Sequence, residues 1–211
     1  MTKTAVLEWI ARDRLVPVVR AASEESALQI VDALLARSIS ILEVTMTVPG
    51  AVDVIRRIVA QYGDRVLVGA GTVLDSETAR ECVGAGAKFI VSPGFDAGTV
   101  AACVEMAVVV APGALTPTEI LAAWRAGADI VKVFPCDALG GPSYIKALKA
   151  PLPQIPLMPT GGVTLENLNE FFQAGAVAVG VGGNLVNPSL SRHELVARAR
   201  AFAAEVKRGL S

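Results

Sequence analysis

Histidine is almost missing: His193 is the single imidazole in 211 residues. Catalytic zinc is normally held by several imidazoles, so a zinc-dependent aldolase or hydrolase built on them is excluded. His193 itself sits in Ser191-x-x-Glu194, a capping-box pattern that starts a helix. Aromatic residues are scarce at 5%. A core must then be built from Ala, Val, Leu and Ile, which suits central strands covered on both faces. Three cysteines, Cys82, Cys103 and Cys136, show neither metal-ligand spacing nor a paired framework, and they read as reduced thiols of a cytoplasmic protein. The net charge of −1 gives no footprint for nucleic acid or an acidic membrane surface. The first residues carry charges through their apolar stretch, so no secretory signal is expected. The longest charge-free run, Phe171 to Ser191, holds four glycines, two asparagines and a proline. It reads as helix end, strand and loop, and no membrane span is expected.

What is present is apolar residue, 53% of the chain, arranged in short β-rich runs that alternate with helical patterns. Strands are expected at Val16–Arg20, Ile41–Thr45, Val66–Gly69, Phe89–Ser92, Val108–Ala111, Ile130–Phe134, Leu157–Pro159 and Ala176–Val181. Helices between them are announced by Thr116-Pro117-Thr118-Glu119 and by candidate caps at Ser23, Asp75 and Thr164. Eight strands alternating with helices imply a parallel sheet, closed or open. A weak repeat favours closure. Gly-Ala-x precedes a strand at Gly86, Gly127 and Gly175, roughly every second β/α unit, where glycine can end a helix in a left-handed turn. No linker divides the chain. The expected fold is therefore α/β: a single-domain (β/α)8 TIM barrel over residues 1–211, with an extra N-terminal helix.

Two charged residues stand inside apolar strands. Lys132 lies in Asp129-Ile-Val-Lys-Val-Phe-Pro135, where Ile130, Lys132 and Phe134 share one face. At a sheet edge such a lysine would only discourage aggregation. In a central strand, burial disfavours the charged form of an amine, and neutral amine is what adds to a carbonyl. Glu43 lies in Ile41-Leu-Glu-Val-Thr45 and projects with Thr45. A buried Glu–Lys pair could serve stability alone; beside an imine, the carboxyl can move protons. Thr160-Gly161-Gly162 and Gly182-Gly183-Asn184 follow the last two strands. In barrels these loops often present backbone N–H groups to a phosphate, although glycines also serve tight turns. Arg20, Thr72 and Pro93 end other strands and are candidate pocket walls. Cys136 has no histidine to activate it and reads as packing.

The motifs Glu43-Val-Thr, Gly69-Ala-Gly-Thr72, Val91-Ser-Pro93, Pro112-Gly, Lys132-Val-Phe-Pro135, Pro159-Thr-Gly-Gly162 and Gly180-Val-Gly-Gly183 occur in one order. In that order the chain resembles the 2-keto-3-deoxy-6-phosphogluconate aldolase / 4-hydroxy-2-oxoglutarate aldolase family, from about Arg20 to the last helix. The resemblance implies a (β/α)8 barrel that assembles as a homotrimer. It implies a Schiff-base lysine at Lys132 and an acid/base glutamate at Glu43. Pyruvate contacts fall on Thr72 and Pro93, pocket residues on Phe134 and Thr160, and phosphate-loop glycines on Gly161, Gly162, Gly182 and Gly183. Two departures stand out. Many members carry an arginine shortly after the glutamate motif, where this chain reads Met46-Thr47-Val48-Pro49, and Arg20 is the candidate replacement for binding the substrate carboxylate. Many carry serine after the last Gly-Gly, where this chain has Asn184.

The implied reaction is retro-aldol cleavage of a phosphorylated 2-keto acid to pyruvate and an aldehyde, with no metal or organic cofactor required. Gly141-Pro-Ser-Tyr-Ile-Lys-Ala-Leu-Lys149 also resembles members specific for the galactonate-derived epimer, and imine-based decarboxylation of oxaloacetate needs the same electron sink. A non-catalytic phosphate-binding barrel is the alternative of another class.

Overall fold

The β-branched and aliphatic runs form nine short strands, because such side chains fit a pleated surface buried on both sides. They are β1 (Leu15–Val19), β2 (Ile41–Thr45), β3 (Leu67–Gly71), β4 (Phe89–Val91), β5 (Val109–Ala111), β6 (Gly113–Ala114), β7 (Val131–Val133), β8 (Leu157–Pro159) and β9 (Val179–Val181). The computed structural model describes residues 1–36 and 39–209. Helix α1 (Lys3–Asp13) precedes β1. Helices α2 (Glu24–Leu35), α3 (Ala51–Tyr62), α4 (Ser76–Gly84), α5 (Ala97–Glu105), α6 (Pro117–Arg125), α7 (Pro142–Lys149), α8 (Leu168–Gln173) and α9 (Arg192–Arg208) follow successive strands. No helix among the described residues is long and apolar enough to cross a membrane.

Each expected strand overlaps an observed one, and the residues that continue a run on paper leave the ladder at its ends. All pairs are parallel. One sheet runs β5-β4-β3-β2-β1-β9 and a second runs β6-β7-β8. The expected fifth strand, Val108–Ala111, is β5; beyond Pro112, which has no N–H to donate, the short β6 follows it unannounced in the sequence. Pairing continues across Pro112: the N–H groups of Ile130, Lys132 and Phe134 reach the carbonyls of Val110, Pro112 and Ala114. Between β8 and β9 there is a single bridge, Thr160 to Gly180.

Two apolar clusters lie on the two sides of the strands. One packs strands against α2 to α9. The other gathers Val16, Ile41, Leu67, Phe89, Val109, Ile130, Met158 and Ala178 around Val6 and Ile10 of α1. Helix α1 is anchored by Lys3 on Asp129 at 3.0 Å and by Trp9, whose Nε1 donates to Asp13 and Ser40.

Helix starts follow the expected signals. Ser23, Thr116 and Ser191 form capping boxes, and Asp75 accepts from Thr78 N. Thr164 instead pairs reciprocally with Asn167, closing a turn that comes before α8. Helix ends explain the Gly-Ala repeat. At Gly86, Gly127 and Gly175 the glycine is left-handed, its N–H bonds three residues back, and the following alanine's N–H bonds five residues back. Met106-Ala107-Val108 closes α5 with the same two bonds, but with Ala107 at φ 55. An alanine in that region costs about 1–2 kcal/mol. Ala107→Gly is therefore expected to raise stability by about 1 kcal/mol, read as a higher urea midpoint at unchanged slope. A lowered midpoint would refute the strain.

Candidate active site

The alternation of β7 puts Ile130 in the inner cluster and carries Lys132 on the same face, two residues nearer the strand's carboxyl end. Lys132 is 5% exposed, and its Nζ lies 5.2 Å from the Phe134 ring centroid. In register it stands between Gly113 and Met158. Gly113 has no room for a side chain, because an added Cβ would overlap the Pro93 carbonyl. That absence brings the Pro93 backbone against the neighbour of Lys132.

Glu43 follows the same logic on β2, two residues beyond Ile41 of the inner cluster. It is 1% exposed, its Oε1 has no hydrogen-bond partner, and no ion pair within 4.0 Å joins it to Lys132 or to any other cation among the described residues. A closed salt bridge kept for stability is thus not what holds the two residues. The carboxylate lies over Gly71, where an added methyl would overlap it. The next residue, Thr72, is held at φ 57, a strained conformation for a β-branched side chain.

A cleft of about 550 Å³, within the usual range for small-molecule sites, opens at the carboxyl ends of β1, β7, β8 and β9. Arg20, Lys132, Phe134 and Thr160 line it, with Gly161, Gly162, Gly182, Gly183 and Asn184. Glu43, Thr72 and Pro93 lie outside its wall, on β2 or just beyond β3 and β4. Sequence reasoning missed Val18, which shares Arg20's face and pairs with Glu43, a signal that period-2 alternation contained. It also missed Asn187 and Pro188, which carry no motif.

Thr160 is 7% exposed, and its Oγ1 has no partner; it packs over Gly180. Beyond it the two glycine loops are tied together. Asn184 Nδ2 donates to Val163 O and Asn167 Nδ2 to Gly162 O, both at 2.8 Å. Carbonyls are thereby engaged, whereas the N–H groups of Gly162, Val163, Gly183 and Asn184 find no acceptor among the described residues. Gly182 and Gly183 are not left-handed, and an added Cβ there would meet open space. Nothing in the fold requires glycine at these two positions. Cys136 is buried, its Sγ donates to Gly141 O at 3.7 Å, and burial pushes the thiol up to about 12. It is packing, as its sequence setting implies.

An amine, a carboxylate and two glycine loops at or beyond the carboxyl ends of parallel strands are the layout of an α/β enzyme. The chain belongs to the aldolase family described as KDPG and KHG aldolase, whose model matches residues 6–201. It is 36% identical over 197 residues to the 2-dehydro-3-deoxy-6-phosphogalactonate aldolase of Escherichia coli (strain K12), covering 93% of this chain and 96% of that one. It is 38% identical to the 2-dehydro-3-deoxy-phosphogluconate aldolase of Treponema pallidum, covering 88% of each chain. Among solved structures it matches KDPG aldolase from Legionella pneumophila, captured with pyruvate as a covalent carbinolamine intermediate. That match has a TM-score of 0.84 and 29% identity, and it covers 97% of this chain and 98% of that one. The protein is a lyase of the aldolase class.

Because Gly71 makes room for the Glu43 carboxylate, Gly71→Ala is expected to preserve the circular dichroism spectrum. It should slow pyruvate release about 10²-fold, the usual cost of displacing a reacting group by about 1 Å. Unchanged turnover would separate Glu43 from the chemistry.

Proposed function

We propose that the chain is a single-domain class I aldolase, a closed (β/α)8 barrel in which Lys132 forms the Schiff base and Glu43 moves protons. The observation that carries this reading is the burial of Lys132 and Glu43, without an ion pair, on two parallel-paired strands in a chain that belongs to a family of aldolases. Closure is supported by the continuous pairing across Pro112, by the Thr160–Gly180 bridge and by β1 pairing with β9. The inner cluster, with a residue from or adjoining every strand except the short β6, supports it further.

In this mechanism the Lys132 amine adds to the C2 carbonyl of a 2-keto acid, and the carbinolamine loses water to give a protonated imine. Glu43 supplies and removes the protons. The C4 hydroxyl is deprotonated, the C3–C4 bond breaks, and its electron pair flows into the imine to leave an enamine and a free aldehyde. Protonation at C3 and hydrolysis then release pyruvate and restore Lys132. No metal or organic cofactor takes part. Arg20 holds the substrate carboxylate, as the exposed cation on the cleft wall beside the buried Lys132. Thr72, Pro93, Phe134 and Thr160 shape the pyruvate end. The glycine loops, stiffened by Asn184, receive the phosphate on their unpaired N–H groups.

The substrate we infer is 2-keto-3-deoxy-6-phosphogluconate, giving pyruvate and glyceraldehyde 3-phosphate, and/or 4-hydroxy-2-oxoglutarate, giving pyruvate and glyoxylate. The galactonate-derived epimer is a second reading, favoured by the Escherichia coli relative. A cytoplasmic homotrimer is the form we assign to it, in keeping with the resemblance and with the apolar side chains exposed at Leu74, Val104 and Leu139.

Incubation with pyruvate and sodium borohydride is expected to add a reduced pyruvate adduct, mapped to Lys132 by mass spectrometry. Lys132→Ala should lose both adduct and turnover, and Glu43→Gln should slow turnover about 10²–10⁴-fold. An adduct elsewhere, or an active Lys132→Ala enzyme, would sink the imine mechanism. Gly183→Val should leave stability unchanged and raise KM for the phosphorylated substrate about tenfold or more. An unchanged KM would remove the phosphate from that loop.

A further inference from the structure

Arg20 is the first residue after β1, so the direction in which it leaves the sheet is set by the peptide joining it to Val19. The carbonyl of that peptide accepts a hydrogen bond from the Thr45 hydroxyl at 3.1 Å. Thr45 is fully buried and ends β2, on the same face as Glu43. Its Oγ1 also lies 2.7 Å from the Thr47 hydroxyl. Thr45 has one proton, which is given to Val19, so Thr47 donates to Thr45. The order is Thr47 to Thr45 to the Val19 carbonyl, and donation into a hydroxyl strengthens the bond that hydroxyl makes onward. Side-chain atoms thus hold the strand end where the β1–β2 ladder stops, Val19 pairing with Val44 in its last register position. Arg20 itself makes no ion pair among the described residues and lines the cleft beside Lys132.

We propose that Thr45 is a positioning residue for substrate recognition: the Thr47–Thr45 hydroxyl relay fixes the peptide before Arg20 and so aims its guanidinium at the substrate carboxylate. The inference rests on the reading of Arg20 as the carboxylate's partner. Thr45 touches neither substrate nor reacting atoms. It sets the affinity for any 2-keto acid, through the carboxylate they share, and leaves the imine chemistry alone. The stretch Met46-Thr47-Val48-Pro49 then has a use of its own, since Thr47 supports the arginine on β1.

The test is a double-mutant cycle on pyruvate trapping by borohydride at Lys132, read as the half-saturating pyruvate concentration and the maximal adduct. Thr45→Val is expected to raise the half-saturating concentration about fivefold, the worth of one hydrogen bond, with the maximal adduct unchanged. Thr45→Ser should restore it, and Thr47→Ala should give a smaller rise. Arg20→Ala should raise it further, and in that background Thr45→Val should add nothing. An equal effect of Thr45→Val with and without Arg20 would make Thr45 merely structural and overturn the proposal. No effect of Thr45→Val beside a large effect of Arg20→Ala would overturn it while sparing Arg20. No effect of Arg20→Ala would remove Arg20 from carboxylate binding, and the proposal with it.

Discussion

Parallel pairing of the strands is the constraint on which this molecule depends, because it sends every strand's carboxyl end to the same side. Residues far apart in sequence then meet without any long excursion of the chain. Arg20 after β1, Lys132 on β7 and the glycine loops after β8 and β9 line one cleft for that reason, with Glu43 on β2 outside its wall. A second consequence is burial on both faces, which makes a charged residue in these strands conspicuous. Desolvation is unfavourable for lysine and glutamate alike. Here neither is relieved by a direct ion pair between them.

The vacant places in the structure matter as much as the filled ones. Gly71 makes room for the Glu43 carboxylate, and Gly113 for the Pro93 backbone. At Gly182 and Gly183 a side chain would meet no neighbour among the described residues. The first two let a buried carboxylate and a neighbouring backbone come close, and the last two leave an open surface. In the loop after β8, Asn167 and Asn184 engage the carbonyls of Gly162 and Val163, which leaves the Val163 N–H, across the peptide from the Gly162 carbonyl, without an acceptor among the described residues.

Much of this was legible in the sequence. Charged residues within apolar runs marked Lys132 and Glu43, and Gly-Ala before a strand marked three helix ends that share one hydrogen-bond pattern. The fourth such end escaped because Ala107 occupies the left-handed position, and an alanine carries no signal for it. The short strand β6 beyond Pro112 was not visible, since a proline reads as the end of a strand although its carbonyl still accepts from Lys132. Asn184 stood out only as a departure from serine. Its bond to Val163, 21 residues back, depends on two loops meeting in space. Period-2 alternation contained Val18 and the Thr45 face, yet no local pattern announces that a threonine hydroxyl will seek a carbonyl on the neighbouring strand.

Helix α1 gives the interior a floor. Val6 and Ile10 fill the end of the inner cluster away from the cleft, and Lys3 fastens the helix to the residue two positions before β7. The interior is thereby covered at the strands' amino ends, and the cleft lies at the opposite, carboxyl ends. A molecule that enters this cleft reaches Lys132 past Arg20 and the glycine loops, so a change in those residues alters the approach to the amine as well as the grip on whatever is bound.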